Sequence, residues 1–143
     1  MAHATRSEVF DVDINNIYEV LLDYEKYPEF MTGVDKVTIL DSSETESRVE
    51  YQINVIKKLN YILKLEQSRP TQISWSFESG DLFKVNSGSW DLKDLGDGKT
   101  EVVYNVEVEA KGFFPGSGKI AQKLTETQLP GLMESIRERA KSL

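Results

Sequence analysis

The chain of 143 residues carries a net charge of −7, a single histidine (His3) and no cysteine. Its length suits one domain over residues 1–143, and the missing cysteines and isolated histidine exclude disulfides and leave no usual ligand set for a metal, so we expect neither metal nor cofactor. The acidic balance disfavours DNA as a partner, and because we find no signal peptide and no run of membrane-spanning length, we expect a cytoplasmic protein.

The first predicted elements are a strand and two short helices. Residues 6–12 predict the strand. Asp13 then suits the N-cap of a helix, because its carboxylate can accept hydrogen bonds from the free amides of the first turn, and apolar residues recur at helical spacing over residues 14–22. Residues 27–30 (Tyr-Pro-Glu-Phe) predict a turn through a second short helix, which ends at Gly33.

Apolar and polar side chains alternate with a period of two through most of the chain up to residue 108. This pattern predicts five or six more strands, in an antiparallel sheet with one face towards water. Gly88 is predicted to mark a bulge or a bend, and residues 95–98 (Leu-Gly-Asp-Gly) a hairpin turn. Further turns are predicted at Lys57-Lys58, at Pro70 and over residues 78–81.

The end of the chain predicts a loop over residues 111–118 and a long helix over about 119–141. Pro130 should remove one backbone hydrogen bond and kink this helix. The apolar residues of the helix form one stripe at three-and-four spacing: Ile120, Leu124, Leu129, Leu132, Met133, Ile136 and Ala140.

One helix cannot cover the apolar face of so many strands if the sheet is flat. Exposed apolar patches of that size are rare in monomers, so we expect the sheet to curl round the helix. The predicted fold class is α+β: a curved antiparallel six- or seven-stranded sheet wrapped round a long C-terminal helix, with two short helices after the first strand. The rings concentrated on the inner rows either wall a cavity or fill a packed core.

Two stretches and the closing helix resemble the START-like superfamily, and within it the branch of polyketide cyclases and coenzyme Q-binding proteins. The first stretch follows Arg6-Ser7 and is similar to the branch's D-x-x-x-Y-P-x-F stretch, here residues 23–30 with Gly33-Val34 after them. The second is similar to its P…I-x-W…G-x-W run: Pro70, Ile73, Trp75, Gly88 and Trp90. The resemblance implies the helix-grip fold with a ligand cavity, in a superfamily whose members bind lipids, quinones, polyketides or steroids, and some of which are cyclases or dehydratases.

The inner rows and the closing helix supply the predicted lining of this cavity: Tyr51, Ile53, Tyr61, Leu63, Trp75, Phe77, Phe83, Trp90, Tyr104, Val106, Leu124, Gln128 and Leu132. The predicted entrance comprises Tyr27, Phe30, Phe113 and Phe114. Two adjacent phenylalanines in a Gly-Pro-Gly loop cannot easily both point inward. Phe113-Phe114 would therefore close the cavity mouth, touch a membrane transiently, or pack the loop onto the final helix.

Nucleophilic catalysis of the usual kinds lacks its residues here, and we predict no catalytic residue. A cyclase or dehydratase of this fold could still polarise a carbonyl or move a proton with Tyr51, Tyr61, Tyr104 or Arg6. The alternative for the tyrosines is a core ring whose hydroxyl bonds to backbone or water. For Arg6 the alternative is a salt bridge to Asp23 or Glu25.

Three functions remain open at this point. The leading hypothesis is the binding or transport of an apolar small molecule (lipid, quinone or polyketide-like) in the cavity. The second, a polyketide cyclase or dehydratase, predicts a tyrosine or arginine in the cavity without a structural partner. The third, a protein-interaction module acting on the ribosome, as some bacterial relatives are described to do, predicts a filled core and an exposed patch.

Overall fold

A strand, two short helices, a run of strands and a closing helix follow one another along the chain. The computed structural model describes residues 2–31, 33–54, 58–81, 83–110 and 129–143. The helices are α1 (Ile14–Leu22), a 3-10 helix (Tyr24–Glu29) and α2 (Leu129–Lys141). The strands are β1 (Ala2–Phe10), β2 (Val34–Ser42), β3 (Glu46–Asn54), β4 (Lys58–Ser68), β5 (Gln72–Gly80), β6 (Phe83–Gly96) and β7 (Lys99–Ala110).

The described strands form one antiparallel sheet of seven, in the order β1-β7-β6-β5-β4-β3-β2. From β2 to β7 each strand pairs with the next along the chain, while β1 lies beside β7 at the other edge. The sheet is curved, and its apolar face packs with α1, the 3-10 helix and α2 into one core. The predicted α+β helix-grip architecture is confirmed, with seven strands.

The helices lie where their apolar faces predict. Asp13 caps α1 as expected, because its Oδ1 accepts a hydrogen bond from the Asn15 amide at 2.9 Å. In α2 the apolar stripe faces the core, and three of its side chains are 0% exposed: Met133, Ile136 and Ala140. Within the described ranges, no helix has the length and apolar character needed to cross a membrane.

The turn between β6 and β7 is the predicted hairpin. Gly96, Asp97 and Gly98 have φ angles of 86°, 55° and 74°. These angles lie in the left-handed region, where glycine is favoured because it has no Cβ. The Leu-Gly-Asp-Gly stretch therefore joins the two longest strands of the sheet and sets their register.

Several predicted boundaries are wrong. β1 spans Ala2–Phe10 rather than residues 6–12, because its pairing with β7 already begins at Ala2 and ends at Phe10. β5 continues through the predicted turn at 78–81 as far as Gly80, which pairs with Tyr61 of β4. The kink predicted at Pro130 and the turn at Lys57 involve residues 119–128 and 55–57, which lie outside the described ranges.

Gly88 has a different role from the one predicted. The register of β6 with β7 is unbroken through Gly88, so there is no bulge at this position. A Cβ there would lie 2.1 Å from the Asn105 carbonyl oxygen and 2.7 Å from Cζ2 of Trp75. Glycine is therefore required because the Asn105 carbonyl oxygen of β7 and the Trp75 indole both lie too close for a Cβ, and not because the strand bulges.

Candidate functional site

A cavity of about 420 Å³ lies between the apolar face of the sheet and α2. Strands β2 to β7 and the 3-10 helix supply most of its wall, and α2 contributes the rest. The described lining residues are Tyr27, Met31, Gly33, Val34, Tyr51, Ile53, Tyr61, Leu63, Leu65, Ile73, Trp75, Phe83, Asn86, Trp90, Tyr104, Val106, Val108, Gly131, Leu132 and Ser135. The volume lies within the range typical of small-molecule sites.

No described lining residue carries a charge. The polar groups of the wall are the tyrosine hydroxyls, the indole nitrogens of Trp75 and Trp90, the Asn86 amide and the Ser135 hydroxyl. An unpaired ion in such surroundings loses its hydration without a compensating partner, which costs several kcal/mol. The described wall therefore suits an uncharged ligand.

Aromatic rings form two groups on this wall. On β3 and β4, Tyr51 and Tyr61 stack with ring centroids 5.3 Å apart and planes at 16°, and Phe83 meets Tyr61 edge-on at 5.0 Å. Across the sheet, Tyr104 packs against Trp90 at 4.3 Å and Trp75 at 5.7 Å. The flat ring faces and edges in the cavity wall favour a ligand with rings of its own.

The hydroxyls of Tyr51, Tyr61 and Tyr104 have no hydrogen-bond partner among the described residues. Burial raises the pKa of all three, and neighbouring tyrosines raise that of Tyr51 further. A tyrosine whose pKa is raised above 10 stays protonated at neutral pH, so each hydroxyl remains a hydrogen-bond donor. These groups can polarise a carbonyl oxygen, but they cannot act as bases.

The hydroxyl of Tyr27 is already engaged. It donates a hydrogen bond to the carbonyl oxygen of Leu21, and burial raises its pKa well above the usual value. Its ring lies edge-on to Phe30 and 6.4 Å from Tyr51. Tyr27 therefore attaches the 3-10 helix to the end of α1 and offers its ring, rather than its hydroxyl, to a ligand.

Asn86 and Trp75 form a buried polar pair across the β5–β6 boundary. The Trp75 indole N–H donates to Asn86 Oδ1 at 3.1 Å, and Asn86 is 6% exposed. β5 and β6 pair only over Gln72–Trp75 and Gly88–Asp91 in the described residues. The indole thus connects two strands at the point where their backbone ladder ends.

Most of the predicted lining residues surround one cavity. They are Tyr51, Ile53, Tyr61, Leu63, Trp75, Phe83, Trp90, Tyr104, Val106 and Leu132, with Tyr27 from the predicted entrance. Sequence reasoning did not find the others, although Leu65 and Ile73 continue the same alternating rows and Asn86 has the same parity as Trp90. Four predicted residues lie outside the described ranges: Leu124, Gln128, Phe113 and Phe114.

Phe77 does not line the cavity. Its half-buried ring packs edge-on to Phe83 at 6.2 Å. It lies beyond Trp75 on β5, where the strand no longer pairs with β6, and this places the ring at the margin of the wall.

Phe30 also lies outside the cavity. It occupies a surface concavity with Leu143 and Arg139, whose guanidinium carbon is 5.2 Å from the centre of the ring. Tyr27 lines the cavity, whereas Phe30 follows the 3-10 helix as its C-cap, with φ −140° and ψ −6°, and faces this concavity.

Arg6 is not among the residues that line the cavity, although it pairs with Tyr104 across β1 and β7 and therefore lies on the same face of the sheet. Its Nε donates a hydrogen bond to Glu8 Oε2 at 2.6 Å. The predicted partners Asp23 and Glu25 are therefore wrong. Residues two apart share one face of a strand, and this brings Glu8 closer to Arg6 than any carboxylate of the helices.

Comparison with known proteins agrees with this geometry. A sequence profile for the family described as polyketide cyclase / dehydrase and lipid transport matches residues 10–137. A search of curated proteins gave no match.

Three solved structures share the fold at low sequence identity. The Zhui aromatase/cyclase from a Streptomyces species has a TM-score of 0.86 at 15% identity, over 98% of this chain and 93% of that one. A protein from Thermus thermophilus has a TM-score of 0.85 at 18% identity, over 99% and 98% of the two chains. A START superfamily protein from Mycobacterium smegmatis has a TM-score of 0.82 at 18% identity, over 98% and 97%. At these identities the likeness shows the fold alone.

Proposed function

The chain belongs to the polyketide cyclase / dehydrase and lipid transport family, and from this membership we propose that it binds and carries an apolar small molecule without changing it chemically. The ligand class is lipid, quinone or polyketide-like, and the site is the cavity between the sheet and α2. The observation that carries this proposal is the cavity of about 420 Å³ with an uncharged, ring-rich described wall. Apolar surface removed from water there stabilises a complex by about 25 cal/mol per Å².

A cyclase or dehydratase is the second candidate, and one observation favours it. Tyr51, Tyr61 and Tyr104 line the cavity with hydroxyls that have no partner in the described part of the chain. Ring closure and dehydration also require a group that takes up a proton. The described wall holds no Asp, Glu, His, Lys or Arg for this step, and the raised tyrosine pKa values keep these hydroxyls protonated. These observations support carriage over turnover.

The interaction-module hypothesis predicts a filled core and an exposed patch. The first of these disagrees with the structure, because the core of this protein contains a cavity. Transient membrane contact depends on Phe113-Phe114, outside the described ranges.

A substitution that fills the cavity tests the proposal. Val106 lines the cavity at 6% exposure, whereas Val103, on the same strand, faces the opposite side of the sheet and is half-buried. Val106→Trp should weaken binding of the neutral fluorescent probe N-phenyl-1-naphthylamine at least tenfold, because the indole occupies the space that the probe needs. Val103→Trp should bind as the unaltered protein does.

Circular dichroism first establishes that both variants fold, because a larger core side chain destabilises by about 1–3 kcal/mol. Equal probe affinity for a folded Val106→Trp and the unaltered protein would place binding outside this cavity. If the unaltered protein bound no probe, the carrier proposal itself would be in error.

A further inference from the structure

Asn86 is a buried polar side chain on the apolar face of β6. It lines the cavity and is 6% exposed. Its Oδ1 accepts the Trp75 indole N–H at 3.1 Å. An indole nitrogen can only donate, so the amide atom facing it must be the oxygen, and the NH₂ group is left as the free end. The chemistry of tryptophan thus fixes which way the amide points.

The free end of the amide is open to the cavity. In the described ranges, Arg137 Nε is the one side-chain nitrogen or oxygen atom that is fully buried and has no hydrogen-bond partner. Asn86 Nδ2 has no hydrogen-bond partner among these residues, so it retains accessible surface on the cavity side. A buried donor without a partner is unfavourable until something accepts from it.

Gly88 allows the Trp75 indole, which bonds the Asn86 amide, to pack closely against β6. Trp75 and Gly88 are paired across β5 and β6, and the indole lies so close to the strand that a Cβ on Gly88 would come within 2.7 Å of Cζ2. Tyr104 supports the same indole from the side, at 5.7 Å between ring centroids. A donor held by a packed ring needs little reorganisation on binding, and this favours affinity.

Resting on the proposed function, we propose that the ligand is an uncharged molecule with a ring-borne carbonyl oxygen, and that this oxygen accepts a hydrogen bond from Asn86 Nδ2. The Asn86 amide and the tyrosine hydroxyls are hydrogen-bond donors in the cavity wall, and a carbonyl oxygen of the ligand can accept from them. The rings of Trp75, Trp90 and Tyr104 beside the amide favour a flat skeleton. The described wall has no cation to pair with a carboxylate, sulfonate or phosphate.

Tryptophan fluorescence gives a direct test. The chain has two tryptophans, Trp75 and Trp90, and both line the cavity, so quenching or energy transfer reports its occupancy. Three probes share one skeleton: anthracene, 9,10-anthraquinone and anthraquinone-2-sulfonate. They differ in carbonyl groups and in charge.

Asn86→Leu should weaken anthraquinone binding by roughly two- to tenfold, the size of one net hydrogen bond, and leave anthracene within about twofold. Asn86→Met retains a weak acceptor, the thioether sulfur, for the Trp75 indole and has no donor, so it should show the same selective loss if the leucine variant does not fold. Asn105→Leu, on the outer face of neighbouring β7, is the control and should change neither affinity. Anthraquinone-2-sulfonate should bind the unaltered protein at least tenfold more weakly than anthraquinone.

The outcomes separate this inference from the proposed function. If neither anthracene nor anthraquinone bound the unaltered protein, the proposed function would fail. If both bound and the Asn86 variants weakened them equally or not at all, the Asn86 contact would be refuted while the carrier function stood. Sulfonate binding as tight as that of anthraquinone would refute the requirement for an uncharged ligand.

Discussion

The tyrosines other than Tyr18 fall into two groups according to the partners of their hydroxyls. Tyr24 donates to Gln67 Oε1 at 2.9 Å, and Tyr27 donates to the Leu21 carbonyl oxygen. These bonds attach the 3-10 helix to β4 and to the end of α1. The second group has no partner within the described chain: Tyr51, Tyr61 and Tyr104. The first group stabilises the fold, and the second is available to a ligand.

Removing the hydroxyl should therefore affect the free energy of unfolding differently in the two groups of tyrosines. Tyr104→Phe should alter the free energy of unfolding by less than about 0.5 kcal/mol, because the Tyr104 hydroxyl bonds to none of the described residues. Tyr24→Phe should lower it by about 1–2 kcal/mol, because Gln67 loses a buried partner. Urea unfolding of the unliganded protein measures both. An equal loss in the two variants would mean that the Tyr104 hydroxyl has a structural partner.

The apolar part of the cavity wall could be predicted from the sequence, and the polar anchor could not. Tyr51, Ile53, Tyr61 and Leu63 follow the period of two, which places them on one face of the sheet. Asn86 has the same parity as Trp90, but its residue type indicates a wet face. Only the contact with Trp75 explains why an amide is stable inside.

Irregular pairings interrupt the simple alternation in several places, and two of them illustrate the effect. Phe83 and Trp90 differ by an odd number of residues, so an unbroken strand would place them on opposite faces. The register shift between Phe83 and Val85 turns Phe83 inward, where it lines the cavity. A second shift, between Ile62 and Leu63, changes the pairing of β4 with β5. Such shifts depend on contacts between strands, and no local pattern in the sequence encodes them.

Alanine substitutions at two glycines, one in β6 and one in α2, test how tightly these secondary-structure elements pack against their neighbours. Gly88→Ala should lower the free energy of unfolding by about 1–3 kcal/mol, because the new Cβ overlaps backbone and indole atoms. Gly131→Ala, in α2, should raise it by about 0.5–1 kcal/mol, because nothing lies within 4 Å of its Cβ position and alanine favours helix. Thermal or urea unfolding of the pair provides the measurement. A neutral Gly88→Ala would contradict the close approach of Trp75 to β6.

The curvature of the whole sheet could be predicted by comparing the number of apolar strand faces with the single long helix. Whether the core is packed or contains a cavity could not. One helix and seven strands require a curved sheet, and the structure has one. Whether the enclosed rings fill the core or wall a cavity depends on strand register and on the spacing between sheet and helix. Both are set by long-range packing, and composition does not determine them. The structure resolves this in favour of a cavity of about 420 Å³.

Native mass spectrometry of the purified protein, beside its denatured and extracted form, tests the central claim most directly. We expect an uncharged apolar molecule to copurify, or members of a panel of lipids, quinones and polyketides to be retained as one-to-one complexes. Val106→Trp should lose these complexes and Val103→Trp should keep them. A bare protein mass together with no retained member of the panel would contradict the carrier function and favour the interaction module instead.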